Sequence, residues 1–177
     1  MLEIQLVRVG QVDQQVLDFL AVVLPDSLGL NCKVVEQTID PSVAYNPARN
    51  QYNSIEILLL LSRLKTKPRV KLLGLTRFDL FIPILTFVFG QAQVNNRNAV
   101  MSVHRLRQAY YGLPDDEKLF LERCEKEALH ELGHTFGLVH CQDFECVMYL
   151  SNAIEQVDLK SNSFCDACRQ QLKSSYY

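Results

Sequence analysis

The sequence contains no apolar segment long enough to span a membrane. Its longest apolar runs, ILLLL and FIPILTFVF, fall well short of the roughly 20 residues that a spanning helix requires. The N-terminus, MLEIQLVRVG, lacks a basic leader, a long apolar block and a small-residue cleavage site, so we do not expect a secretory signal peptide. These absences favour a cytoplasmic protein without a membrane partner.

The chain also has little net charge and few glycine and proline residues. The formal net charge of −2 gives no reason to expect a nucleic acid as a partner. Only 7 Gly and 6 Pro interrupt a chain that is 48% hydrophobic and 21% charged, a composition typical of soluble globular proteins. No internal repeat is visible. A length of 177 residues fits one domain, and we expect a monomer.

The hydrophobic pattern predicts an α+β fold. The first two-thirds of the chain has the order β-α-β-α-β-β-β, which predicts a mixed, twisted sheet with helices packed on it. Strands are predicted at residues 3–9, 32–37, 69–81, 85–93 and 98–106. Asp13 and Ser54 are predicted to cap the first two helices, and residues 39–53 to form a polar loop. A final helix is predicted between Asp158 and Lys173.

The longest predicted helix runs from about Asp115 to Phe136. Pro114 suits its first turn, and the acidic residues that follow complement its positive end. A core-facing stripe recurs every four residues, at Phe120, Cys124, Ala128, Leu132 and Phe136. Gly137 is predicted to end the helix, because glycine adopts the left-handed conformation at little steric cost.

Three of the four histidines lie in the segment HELGHTFGLVH, at the end of this helix. His130 and His134 are four residues apart, which places both imidazoles on one face of a helix. Gly137 turns the chain back, so that His140 can reach the same ion. Glu131 is rotated about 100° around the helix axis and points beside the ion, where it can hold a water molecule. The spacing therefore predicts a metal centre with three nitrogen ligands.

The chemistry of this set suits hydrolysis. Three neutral imidazoles leave one position of a tetrahedral Zn²⁺ open to water. Zinc lowers the pKa of that water to about 7, and Glu131 can take its proton and later pass it to a leaving amine. A helical histidine pair alone also occurs without a metal, but Gly137 and His140 make the motif much more specific. His104 stands alone on a predicted strand and is expected at the surface or, with its hydrogen bonds satisfied, in the core.

Four of the six cysteines form two pairs, Cys141 with Cys146 and Cys165 with Cys168. These spacings are typical of a structural zinc site with four thiolate ligands. A redox dithiol is the competing interpretation for Cys165 and Cys168, and disulfides come next.

Adjacent ligands in the sequence favour two ions over one. His140 and Cys141 are neighbours, and neighbouring side chains in an extended backbone point to opposite sides. We therefore expect two zinc ions per chain, one catalytic and one structural. The second ion would stabilise a short C-terminal part that cannot bury much core alone. Cys32 and Cys124 have no such partners and are expected to be small buried hydrophobic residues.

The segment HELGHTFGLVHC, followed by CVM and FCDAC, resembles the archaemetzincins, a family of metzincins. The metzincin pattern is H-E-x-x-H-x-x-G-x-x-H with a Met-turn after it. The segments YNPARNQYNS, LLGLTRFDLF and LTFVFGQAQ are also similar to this family, so the resemblance covers most of the chain. It implies a zinc metallopeptidase that acts on a peptide or protein. It also implies one metzincin-like catalytic domain over residues 1–177, with an N-terminal subdomain of residues 1–137 and a C-terminal, zinc-bound subdomain of residues 138–177.

The resemblance also assigns individual residues. Met148 matches the Met-turn, an apolar floor under the imidazoles that does not bind zinc; ordinary core packing is physically nearly the same role. The strand LTFVFGQ would be the edge strand over the cleft, where an extended peptide adds main-chain hydrogen bonds. Tyr149 is expected to pack and not to bind the metal. Asp79 matches a family position, and a turn or cap carboxylate is its expected role.

Two other functions remain open on the sequence. One is a zinc-containing peptide-binding or regulatory module with little general peptidase activity, although the intact Glu131 argues against it. The other is a redox thiol protein that uses Cys165 and Cys168.

Overall fold

The computed structural model describes residues 2–176. The strands along the chain are β1 (Glu3–Val9), β2 (Asn31–Ile39), β3 (Tyr45–Asn46), β4 (Gln51–Asn53), β5 (Val70–Thr76), β6 (Leu80–Phe81), β7 (Gly90–Ala92) and β8 (Asn98–Ser102). The α-helices are α1 (Gln14–Leu28), α2 (Ser54–Ser62), α3 (Glu117–Thr135), α4 (Ile154–Leu159) and α5 (Asp166–Ser174). Short 3-10 turns occupy Ser42–Ala44, His104–Leu106 and Gln108–Tyr111.

A five-stranded sheet in the order β2-β1-β5-β8-β7 forms the centre of the molecule. The first four strands in this order are parallel, and β7 runs antiparallel to β8 at the edge. A second, small sheet contains β3, β4 and β6. The prediction of an α+β fold with a mixed sheet is confirmed.

Alternation along the strands divides the core into two layers. Ile4 and Leu6 of β1 pack in the layer that contains α1 and α3, whereas Val7 and Val9 pack in the layer that contains α2. Successive side chains of a strand point to opposite faces, so a strand apolar at both sets of positions is covered on both sides. β1, an interior strand between β2 and β5, therefore has helices on both faces of the sheet.

The two predicted helix caps are wrong in detail. Asp13 occupies the N-cap position of α1, but its carboxylate pairs with Arg107 and makes no capping hydrogen bond. Asn53 caps α2, because its side-chain oxygen accepts a hydrogen bond from the backbone N–H of Ile55. Ser54 is the first residue of α2, and its hydroxyl lies inside the protein against Gln91 at 2.6 Å.

Several strand and loop predictions also need correction. The predicted strand at residues 69–81 breaks after Thr76, and the one at residues 98–106 ends at Ser102. Only Gly90–Ala92 of predicted strand 85–93 pairs in the large sheet. The predicted loop at residues 39–53 contains β3 and β4, which form the small sheet with β6. These strands pair over long sequence separations, which local periodicity does not encode.

Helix α3 ends near its predicted position, at Thr135, and Gly137 adopts a φ of 89° in the turn that follows. The predicted final helix corresponds to α5, and the structure contains an additional short helix, α4, before it; residues 160–165 separate the two. Within residues 2–176, the helices are too short or too polar to cross a bilayer.

Candidate metal centre and cleft

The three histidines of the motif converge at the end of α3. The Nε2 atoms of His130 and His134 are 3.1 Å apart. The His140 ring lies 5.3 Å from the His130 ring and 4.9 Å from the His134 ring, measured between centroids. One ligand atom from each of the three residues lies within 4.8 Å of the others. The helix supplies two imidazoles one turn apart, and the turn at Gly137 returns the third.

Backbone carbonyls fix the orientation of two rings. His130 Nδ1 lies 2.9 Å from the carbonyl oxygen of Val147, and His134 Nδ1 lies 2.8 Å from that of Leu138. A carbonyl oxygen only accepts, so both Nδ1 atoms must carry the proton. In a neutral imidazole the other nitrogen is then an acceptor. Two acceptor lone pairs thus meet at the 3.1 Å Nε2–Nε2 contact, which a cation between them would relieve.

The spacing of these nitrogens fits zinc. A tetrahedral Zn²⁺ with Zn–N bonds of about 2.0–2.1 Å holds two nitrogen ligands roughly 3.3 Å apart. The 3.1 Å separation of His130 and His134 is close to this value. Burial lowers the pKa of His130, His134 and His140, which favours the neutral form that binds a metal.

Glu131 lies beside this group in a dry environment. Its side chain is buried, and Oε2 is one of the few buried oxygens in residues 2–176 without a hydrogen-bond partner. Burial, and then the charge of Glu127, raises the pKa of Glu131 well above its ordinary value. A buried polar atom without a partner is costly, so this oxygen is suited to accept a hydrogen bond from a water molecule or a substrate group in the cleft.

Glycine 90 makes room for this carboxylate. A Cβ atom at Gly90 would lie 2.6 Å from both Cγ and Oε1 of Glu131. Such contacts are too short for any side chain at this position of β7, so the edge strand approaches Glu131 closely only because residue 90 is glycine.

A second glycine, in the motif itself, accommodates the methionine. Met148 is fully buried, and a Cβ at Gly133 would lie 2.4 Å from its Sδ atom. Gly133 lies between His130 and His134 on α3, so Met148 packs directly against the helix segment that carries both rings. Met148 thus lies against the segment that carries the two histidines, and its role as a Met-turn stays a prediction.

A buried ion pair borders the same region. Lys160 Nζ lies 3.1 Å from Glu127 Oε1, and the two side chains are 0% and 4% exposed. Glu127 precedes Glu131 by one helical turn. The pair connects α3 to the segment after α4, next to the histidines.

The four paired cysteines form a separate group. One Sγ atom from each of Cys141, Cys146, Cys165 and Cys168 lies within 4.8 Å of the others. The Sγ atoms of Cys141 and Cys165 are 3.8 Å apart, whereas a disulfide bond is about 2.05 Å. Zn–S bonds of about 2.3 Å in a tetrahedral site place sulfurs roughly 3.8 Å apart. The backbone N–H groups of Asp143 and Cys165 donate hydrogen bonds to Cys141 Sγ and Cys146 Sγ, respectively.

The histidine group lies in a cleft of about 640 Å³. Residues 85–92, which include the edge strand β7, form one wall of this cleft, and residues 150–152 also line it. His130, Glu131, His134 and His140 all line the same cleft. An extended chain in the cleft would therefore run along an open strand edge and past the histidines.

Comparison with known proteins identifies the family. The model of peptidase family M54 matches residues 21–174. An archaemetzincin from Methanocaldococcus jannaschii is 39% identical over 167 residues, which cover 93% of this chain and 89% of that protein. The chain belongs to peptidase family M54, the archaemetzincins. As a member of this family it is a zinc metallopeptidase, and the sequence-based recognition is confirmed.

Solved structures of the family have the same fold. The crystal structure of an archaemetzincin from Methanopyrus kandleri has a TM-score of 0.86 at 38% identity and covers 98% of this chain and 95% of its own. The structure of a zinc-dependent peptidase from Methanocorpusculum labreanum also has a TM-score of 0.86, at 31% identity, and covers 96% and 99% of the two chains.

Some residues around the site were not found from the sequence. Gly90 and Lys160 reach α3 from positions 41 residues before and 29 residues after Glu131 in the sequence, and no local pattern marks them. Gly133 lies inside the motif, where a glycine in a helix interior is a signal of close packing. The carbonyls of Leu138 and Val147 carry no sequence signal, because every residue has one.

The sequence assigned His104, Cys32 and Cys124 no role in metal binding, and the structure shows where each of them lies. His104 is exposed and contacts Tyr110, as expected for a surface histidine, but it lies in a 3-10 turn and not in a strand. Cys124 is fully buried in the core, and Cys32 is half-buried, with its pKa raised by burial to about 12. The backbone of Tyr149 pairs with that of Cys141.

Asp79 has a different role from the one expected. It caps no helix: its carboxylate accepts hydrogen bonds from Arg105 and Gln51.

Proposed function

We propose that the chain hydrolyses peptide bonds with a zinc ion held by His130, His134 and His140 and with Glu131 as the general base. The contact that carries this proposal is the meeting of two acceptor nitrogens at 3.1 Å beside a buried carboxylate with an unpartnered oxygen. Zinc at this position supplies a Lewis acid and activates a water molecule for attack on a carbonyl.

Glu131 moves the proton in this reaction. Its carboxylate takes a proton from the attacking water and later donates it to the leaving amine. Burial beside Glu127 raises the pKa of Glu131, so the carboxylate holds a proton more firmly than an exposed glutamate does. A group that must first accept and then deliver a proton near neutral pH benefits from such a shift.

The open edge of β7 supports binding of an extended peptide. The carbonyl of Phe89 and the N–H of Gln93 bond to β8. Polar groups alternate between the two sides of an antiparallel strand, so those of Gly90 and Ala92 face away from β8. Both residues line the cleft. A substrate chain can thus add a strand to this edge, with main-chain hydrogen bonds that hold it over Glu131.

The cysteine group supports a second, structural zinc ion, bound by Cys141, Cys146, Cys165 and Cys168. Four sulfurs in one cluster, with amide donors directed at them, favour a tetrathiolate site over a redox pair. The ion would hold the N-terminus of α5 against the segment that follows His140. On this basis the chain is one catalytic domain, in which residues 138–177 form a subdomain fastened by metal.

Replacement of Glu131 by Gln tests the catalytic role. The amide has nearly the same shape but cannot accept a proton, so we expect wild-type zinc content and loss of about 10²–10⁴-fold in hydrolysis. The measurement is cleavage of a mixed peptide library, followed by mass spectrometry, with metal analysis of the same samples. The matched control is Glu125→Gln, on the same helix but outside the cleft, which should cleave normally.

The outcomes separate the candidate functions. A Glu131→Gln variant that cleaves at the wild-type rate refutes the general-base role. A wild-type protein that holds zinc, binds peptides and cleaves none of them favours the peptide-binding module instead.

A further inference from the structure

One wall of the cleft lacks the support of a regular strand. Residues 85–89, the wall segment, lead into β7 and line the cleft. Only two strand-type hydrogen bonds hold the segment in the described chain, from Val88 N–H to the Leu80 carbonyl and from Ser102 N–H to the Phe89 carbonyl. The first half of the segment must therefore be held in another way.

It is held by two side chains of the small sheet: Arg49, which lies between β3 and β4, and Gln51 of β4. Arg49 Nη2 donates to the carbonyls of Leu85 at 2.7 Å and Thr86 at 3.0 Å. Gln51 Nε2 donates to the same Thr86 carbonyl at 2.9 Å. Arg49 Nε also donates to Gln51 Oε1 at 3.0 Å, so the two side chains support each other. Hydrogen bonds from side chains thus take the place of the main-chain hydrogen bonds that a neighbouring strand would supply.

Asp79 joins these donors to a third support. Its Oδ2 accepts from Gln51 Nε2 at 2.8 Å. Arg105 donates to both carboxylate oxygens at 2.7 Å, and its guanidinium lies 4.0 Å from the centroid of the Phe87 ring. The Asp79 clamp, defined as Arg49, Gln51, Asp79 and Arg105, therefore grips the wall segment at three successive residues, 85 to 87.

The clamp is charged and largely dry. Gln51 is 7% exposed, and the side chains of Asp79 and Arg105 are 13% and 19% exposed. Burial alone would raise the pKa of Asp79, but hydrogen bonds from Arg105 and Gln51 outweigh burial and lower it. A bidentate pair between arginine and carboxylate in such surroundings is both strong and specific in geometry.

We propose that Asp79 is a positioning residue for peptide substrates: through Gln51 and Arg105 it sets the place of the wall segment, and so of the open β7 edge, over Glu131. This inference rests on the proposed function for its kinetic consequence. None of the four clamp residues lines the cleft. They act through the backbone of residues 85–87 and the Phe87 ring, so they affect how a peptide is held and not how protons move.

Replacement of Asp79 by Asn tests this inference by hydrogen exchange. The variant keeps the shape of the side chain and removes the charge that binds Arg105. We expect exchange of the hydrogen-bonded amides of Leu85 and Val88 to rise by about tenfold or more, because the segment opens more often when the clamp is weakened. Exchange of α3 and the zinc content should be unchanged.

Kinetics and binding supply the second readout. In Asp79→Asn, KM for a cleaved peptide should rise by about tenfold while kcat stays near the wild-type value, because uniform binding is lost and transition-state chemistry is retained. When Asp79→Asn is added to the Glu131→Gln variant, the Kd of the same peptide should rise to a similar degree. Asp79→Glu, which restores a carboxylate, should recover part of the loss.

The matched control is Asp13→Asn. Asp13 also binds an arginine, Arg107, whose guanidinium lies 3.9 Å from the centroid of a phenylalanine ring, that of Phe120. Neither Asp13 nor Arg107 lines the cleft. This variant should leave exchange of the wall segment, KM and Kd unchanged.

The possible outcomes are distinct. If wild-type protein cleaves nothing, the proposed function fails, and the exchange and Kd measurements still decide on the clamp. If Asp79→Asn leaves exchange and peptide affinity at wild-type values, the inference is wrong. If Asp79→Asn does not fold, Gln51→Met, which removes the link to Thr86 but keeps the ion pair, must show the same changes; wild-type exchange in that variant would overturn the inference.

Discussion

At the scale of single residues, two glycines allow the site to assemble. Gly90 lets the edge strand reach Glu131, and Gly133 lets Met148 pack against α3 between the histidines. In both places a Cβ atom would lie within 2.6 Å of one of these side chains. The positions of Glu131, the proposed general base, and of Met148 therefore depend on glycine at residues 90 and 133.

The substitution Gly90→Ala should uncouple the edge strand from Glu131. The new methyl group must displace either the carboxylate or the strand, so we expect hydrolysis to fall by about 10²-fold, in line with small misplacements of catalytic groups. Zinc content should stay at the wild-type level, because the atoms nearest to a Cβ at residue 90 belong to Glu131 and not to a histidine. The measurement is kcat/KM with metal analysis.

Gly29→Ala is the control for this prediction. Gly29 ends α1 with a φ of 67° and has open space around its Cα, so alanine there costs about 1 kcal/mol of stability from backbone strain alone. It should retain full activity. Equal activity losses in the two variants would mean that Gly90→Ala acts through stability and not through Glu131.

At the scale of secondary structure, α3 is the platform of the site. It carries His130, Glu131 and His134, and its buried Glu127 pairs with Lys160 beyond α4. Both charges of this pair are buried away from water, so each charged group is stabilised mainly by the other. Removal of one partner from a buried pair leaves an uncompensated charge, which costs more than replacement of both.

A double-mutant cycle on Glu127 and Lys160 tests this dependence. We expect Lys160→Met to lower the free energy of unfolding by about 3–5 kcal/mol, and the double variant Glu127→Leu/Lys160→Met to lower it by clearly less. Urea denaturation of the zinc-loaded proteins measures both. A double variant that loses as much as the sum of the two single variants would show that the charges are independent.

The elements differ in how well sequence predicts them. The bounds of β1 and the end of α3 follow from local patterns, since alternation and a terminal glycine carry the information within a few residues. The wall segment does not form the predicted strand. Arg49 and Gln51, which hold it, lie about 35 residues earlier in the sequence. The periodicity of apolar residues does not predict such long-range contacts.

The sequence predicted which histidines and cysteines come together more accurately than it predicted the bounds of the strands around them. The three histidines and the four cysteines come together in the structure as their spacing indicates, because short motifs with fixed spacing constrain geometry directly. Lys160, Gly90 and the Asp79 clamp depend on the tertiary arrangement of distant segments. Their roles follow only from the distances between side chains and from burial in the folded structure.

At the scale of the whole molecule, metal ions are the proposed link between two parts. The sheet and α1–α3 bury most of the apolar core, whereas residues 138–176 contain two short helices and much irregular backbone. The cysteine group lies where α5 begins and where the chain leaves His140. A structural zinc ion would supply the stability that so small a part cannot gain by burial.

The most direct test of this account is the zinc content of the purified protein and two variants. We predict two zinc ions per wild-type chain, and one each in Cys165→Ser and in His134→Ala. Cys165→Ser should also show faster hydrogen exchange in α5, whereas His134→Ala should keep α5 protected and abolish hydrolysis. One zinc ion or none in the wild-type protein, or an unchanged count in either variant, would contradict the account.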